Sequence, residues 1–235
     1  MRADGLGRAA RGAGGMLWLV LLVAAPGARG AGVDQRPWDA ILKRYVDAGG
    51  RVAYRALREN ATGSLKEYLA VLATTTLDGL SAKERLAFWI NAYNAVVVAG
   101  VLDGYRAENA LQRYGFFKLY KRVVAGEPRS PDDIEHGIIR KRFHDPRVHF
   151  ALVCASSSCP RLRREAYTGT LLDRQLDEQA RQFLNDLTRN RIDPVAGTVE
   201  LSPIFDWFKA DFTADGKTVA DFAAPYLAPE QTRLL

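Results

Sequence analysis

Along most of the chain, apolar residues recur at the three-to-four spacing of a helix packed on one side. In residues 37–47, PWDAILKRYVD, Trp38, Ile41, Leu42, Tyr45 and Val46 mark one face, and Gly49-Gly50 ends the run. RVAYRAL (51–57) alternates and reads as a short strand or extended connection. SLKEYLAVLA (64–73) is helical again, with Ser64 as its N-cap. Ser81 followed by Glu84 forms a capping box ahead of a long apolar stretch, so a mostly buried helix is predicted over 82–102. Asn91 and Asn94 lie on one side of it. A buried amide requires partners, since an unpaired one costs about 1–3 kcal/mol. Two readings stand: a clamp on a neighbouring backbone, or an amide lining a site.

Residues 115–129 read as irregular or hairpin-like. Ser130 caps a further helix, with Pro131 at its first position and Asp132 and Asp133 at its positive end. The apolar run of DPRVHFALVC reads as a buried strand over 148–153. TLLDRQLDEQARQFLNDLT (170–188) is amphipathic, its stripe being Leu172, Leu176, Ala180, Phe183 and Leu187. A hairpin over 192–201 and a short aromatic helix complete the pattern. Helices outnumber strands, so the expected fold class is α+β: one predominantly helical domain, residues 31–235, with a small sheet.

Residues 1–30 stand apart. Arg2, Arg8 and Arg11 precede the apolar MLWLVLLVAA (16–25), then Pro26-Gly27 and the small-residue pattern Ala28-Arg29-Gly30. This reads as a secretory signal cleaved after Gly30, too short for a membrane anchor. The expected location is periplasmic or secreted, with no stable membrane span after processing. The formal charge of +6 belongs partly to this leader, which carries four arginines and one aspartate and leaves +3 for the remainder. No basic run is interleaved with aromatics, so nucleic acid is not an expected partner.

Both cysteines fall in HFALVCASSSCP (149–160). Three readings compete there. Export favours a Cys154–Cys159 disulfide. A nucleophilic Cys154 would need a base, for which His136 is the candidate, with Glu135 or Asn91 orienting it and backbone N–H groups of Ser156–Ser158 as an oxyanion site. A zinc site would draw on His149, Cys154, Cys159 and His136, although the spacing is poor for one, and no metal is expected. His144 reads as a solvated loop residue. No serine sits in a Gly-x-Ser-x-Gly elbow.

Several ordered motifs resemble those of the domain-of-unknown-function 547 family in its bacterial, exported form. They are FWINAYNA (88–95), DDIEH (132–136), HFALVCA with the later Cys-Pro (149–160), LRREAY (162–167), IFDWFKADF (204–212) and VAYRAL (52–57). Bacterial members often carry Asp at the position of Ala53 and Asn at that of Val153. Plant members keep a cysteine like Cys154 without the second cysteine or the histidines. The resemblance implies a domain type with no agreed activity.

The leading expectation is a thiol-dependent hydrolase or acyl transferase, arranged by analogy as in papain- or transglutaminase-like enzymes. Cys154, His136 and Glu135 would be catalytic. Asn91, His149, Arg161 and Arg163 would bind an unidentified small-molecule or peptide substrate, without a cofactor. The alternative is a non-enzymatic envelope binding domain stapled by the disulfide.

Overall fold

The computed structural model describes residues 33–235 except Ala107 and residues 155–158. The leader and the Ser156–Ser158 turn lie outside the described residues.

The N-terminal helices are α1 (Arg36–Tyr45), α2 (Tyr54–Asn60) and α3 (Thr62–Thr74). The stretch expected as strand or connection becomes the turn into α2, marked by one isolated bridge between Val46 and Val52. Helix α3 starts before Ser64, with Ala61 at its N-cap, because α2 runs almost directly into it. Trp38 of α1 stacks on Tyr68 of α3 at 5.7 Å between ring centroids.

Helix α4 (Ala82–Leu102) is the axis of the fold, and both bonds of its Ser81–Glu84 capping box are present. Its residues from Leu86 to Gly100 are all buried. By length and mean hydropathy α4 would suffice to cross a bilayer. Here its sides are covered by the other helices, as expected of a core helix hydrophobic all round.

After α5 (Ala110–Tyr114) and a π turn (Gly115–Leu119), β1 (Arg122–Val124) and β2 (Glu127–Arg129) form an antiparallel hairpin. Helix α6 (Pro131–Ile134), a π turn (Glu135–Ile139) and α7 (Arg140–Phe143) then run on as one helical segment against α4. Ser130 and Asp133 form its capping box.

The run expected as a strand over 148–153 is a 3₁₀ helix, Pro146–Phe150, capped by the Asp145 side chain. The run is apolar because it is buried between α4 and α8 (Leu172–Leu184), not because a neighbouring strand pairs with it. Side-chain amides satisfy its backbone instead. Gln179 donates to Phe150 O at 3.0 Å, and Asn94 donates to Ala151 O at 2.9 Å and accepts from Val153 N at 3.0 Å. Helix α8 ends before Leu187, which is 71% exposed rather than part of the stripe.

The hairpin β3 (Arg191–Asp193) and β4 (Thr198–Glu200) follows, then short α9 (Ile204–Trp207), α10 (Lys209–Phe212), α11 (Val219–Ala223) and α12 (Pro229–Thr232). Two hydrophobic clusters result. The larger surrounds α4, and the smaller joins Phe150 and Phe183 to Phe205, Phe212 and Ala223. The fold is the expected mostly helical α+β arrangement.

Candidate functional site

Helix α4 fixes the backbone that leads into Cys154. Asn91 is fully buried; its amide donates to Tyr167 O at 2.8 Å and accepts from Tyr167 N at 2.9 Å. Asn94 grips both sides of Leu152 in the same way. These two residues are therefore backbone clamps, and Asn91 has no solvent-facing atom to offer a substrate.

Cys154 and Cys159 form a disulfide, with Cα atoms 5.9 Å apart. The Cys154 N–H donates to Cys159 Sγ at 3.2 Å. Cys159 is buried and Cys154 half-buried. A paired sulfur is neither nucleophile nor metal ligand. Among the described residues, no group of three or more His, Cys, Asp or Glu side chains is placed to hold a metal ion.

The histidines belong to a separate seam between the α6–α7 segment and the C-terminal helices. The π turn at Glu135–Ile139 inserts one extra residue, a distortion frequent at functional sites. His136 faces Asp132 one turn before it, 3.6 Å from Nε2, and Arg140 one turn after, 2.9 Å from Nδ1. Since a guanidinium only donates, Nδ1 accepts and the ring is neutral with its proton on Nε2. Burial also lowers the His136 pKa.

His149 is buried, stacked on Phe208 at 3.8 Å and held through Nε2 to Asp211 Oδ2 at 2.8 Å. Burial chiefly lowers its pKa, to about 4. Arg140 grips the Asp211 carboxylate with two bonds, 2.6 and 2.9 Å, and lies over the Phe208 ring. Burial pushes the Glu135 carboxyl up to about 7, although the Tyr93 hydroxyl donates to it. Neither histidine hydrogen-bonds Cys154 among the described residues.

The two candidate anion-binding arginines differ. Arg163 is held by Glu165 and by Glu178 at 2.5 Å. Arg161 is 38% exposed, pairs with Asp186 at 3.2 Å, and borders a groove of about 590 Å³ beside Cys159. Tyr93, Arg140, Asp186, Phe208 and Asp211 were not singled out by sequence. The sequence signal for Asp211 was available: a buried histidine requires a polar partner, and Asp211 is an acid inside the aromatic IFDWFKADF segment.

A mostly helical α+β domain, with a Cys154–Cys159 disulfide and a separate histidine–carboxylate seam, is the class that this geometry defines. Residues 77–184 match the model of the family described as "Protein of unknown function, DUF547". The match supports placing that stretch in the family its motifs resemble. It takes in Asn91, His136, His149 and both cysteines and ends before Asp211. No curated protein and no solved structure matches the chain.

Proposed function

We propose that this chain is an exported, non-enzymatic binding domain of the cell envelope, stapled by the Cys154–Cys159 disulfide. The observation that carries this reading is the disulfide itself. It occupies both sulfurs, and Asn94 pins the backbone just ahead of it. The other candidate groups are committed internally in the same way: His136 Nδ1 to Arg140, His149 to Asp211 and Arg163 to two glutamates. Export rests on the leader and accords with an oxidised cysteine pair.

A second reading, a thiol-dependent hydrolase or acyl transferase using Cys154 once reduced, is favoured by one observation. Glu135 and His136 sit side by side on a π turn, and burial has moved both away from their ordinary pKa values. Such displacement is common at catalytic sites.

Alkylation of the reduced protein by iodoacetamide across a pH series, read by peptide mass, separates the two. A binding domain has Cys154 labelling like an ordinary thiol, pKa about 8.5, both in the parent and in His136→Ala. Rapid labelling of Cys154 at mildly acidic pH, slowed in His136→Ala, would overturn the binding reading in favour of the thiol enzyme.

A further inference from the structure

A groove of about 590 Å³ lies beside the disulfide, and its lining carries an excess of positive charge. The turn Asp47–Arg51 forms one wall. Asp47 closes the turn by accepting the Arg51 N–H at 2.9 Å, and Gly50 takes φ +76°. A Cβ on Gly50 would lie 2.6 Å from Arg161 Cβ and 2.8 Å from Leu162 N, so only glycine lets the turn close against the opposite wall. That wall carries Arg161, and the turns that follow α8 contribute Asp186, Thr188 and Arg189.

Asp186 organises this end. It is 8% exposed, accepts from the Thr188 hydroxyl at 2.6 Å, and pairs with Arg161 and Arg189, each at 3.2 Å. Arg51 is exposed, and its guanidinium takes part in no hydrogen bond or ion pair among the described residues. Three arginines against one aspartate leave a formal +2 on the lining. Tyr54 adds a half-buried hydroxyl without a hydrogen-bond partner among the described residues. Burial raises its pKa to about 12, so it remains a donor at neutral pH.

Resting on the binding-domain reading, we propose that this groove binds a dianionic phosphate monoester, with Arg51 and Arg161 as the guanidinium ligands and Asp186 holding Arg161 in position. Guanidinium forks match phosphate oxygens in geometry, and a dianion balances the +2 lining where a single carboxylate would not. A volume of about 590 Å³ also leaves room for the esterified group, since pockets for small ligands run roughly 300–1,000 Å³.

The test is calorimetric titration of residues 31–235 with methyl phosphate, inorganic phosphate and acetate at matched ionic strength. Methyl phosphate should bind at one site, at least tenfold more tightly than acetate. Arg51→Gln and Arg161→Gln should each weaken it at least tenfold, and Arg174→Gln, an exposed residue outside the groove, should leave it unchanged. Tighter binding of inorganic phosphate than of methyl phosphate would assign the site to the free anion and overturn the ester. Equal affinity for acetate, no effect of Arg51→Gln, or equal weakening by Arg174→Gln would overturn the site. Should Arg161→Gln not fold, Arg51→Gln decides, because its guanidinium makes no hydrogen bond or close ion pair among the described residues and feels only the nearby Asp47 charge. A negative titration leaves the alkylation profile unchanged, so this proposal and the binding-domain reading fail separately.

Discussion

Replacing Asn94 by alanine removes a side chain that fixes the backbone on both sides of Leu152. Two hydrogen bonds are lost, Nδ2–H to Ala151 O at 2.9 Å and Val153 N–H to Oδ1 at 3.0 Å. Asn94 is 2% exposed and Ala151 1%, so the Ala151 carbonyl cannot turn to water. A buried polar group left unsatisfied costs about 1–3 kcal/mol, and the half-buried Val153 N–H adds a smaller amount. The expected loss is about 3 kcal/mol. For a domain of this size each kcal/mol moves Tm by roughly 2–4 °C, giving a fall of about 6–12 °C. Scanning calorimetry on oxidised parent and variant measures it, and urea unfolding with an unchanged slope confirms that the denatured state is the same. A fall under about 2 °C would mean that the clamp carries little of the fold's stability, and the account of the 148–153 run would fail with it.

Gly50→Ala should destabilise by about 2 kcal/mol or more, read as a lower urea midpoint, because φ +76° and the approach to Arg161 both resist a Cβ. The double variant Cys154→Ser/Cys159→Ser should lose about 2 kcal/mol, the chain-entropy value for so short a loop, and an unchanged midpoint would show that the staple is dispensable. Glu135 and His149 make opposite contributions to stability against pH. Glu135, raised from 4.5 to about 7, contributes stability fully present below about 4.5 and lost as pH rises to about 7. His149, lowered from 6.5 to about 4, contributes stability present above about 6.5 and lost as pH falls to about 4. The two offset each other between roughly pH 4.5 and 6.5. Glu135→Gln should therefore lose on the order of 2 kcal/mol more than the parent between pH 7 and 4.5, and parallel Tm–pH curves would refute the pairing.

The helices were legible where pattern and cap agreed. Ser81 and Glu84 fixed the start of α4, and Ser130 with Pro131 fixed that of α6. The 148–153 run was misread because an apolar stretch reports burial, not conformation. What decided it was the supply of amide partners from Asn94 and Gln179, which lie far away in sequence. Leu187 was misplaced because periodicity continued past the point where α8 ends at Leu184. At the site, the cysteine pairing was one of three readings, favoured by the expected export, and the structure has the disulfide. The histidine seam was not legible, since His149, Phe208 and Asp211 meet only through the tertiary fold. The groove was harder still to read, because it depends on Gly50 letting a turn reach Arg161 across more than a hundred residues.

The smaller aromatic cluster has a consequence for the order in which the molecule is completed. Phe150 and Phe183 lie within the stretch that matches the family model, whereas Phe205 and Phe212, which cover them, come after it. A chain growing from its N-terminus therefore makes both cysteines before it makes Asp211 or Phe208. Until then His149 lacks both its stacking partner Phe208 and its hydrogen-bond partner Asp211. Only when the final segment docks is the ring buried and its pKa lowered to about 4. The C-terminal helices thus act as a closing clasp: the cover over His149, Phe150 and Phe183 is supplied by residues 204–223, after the stapled stretch is complete.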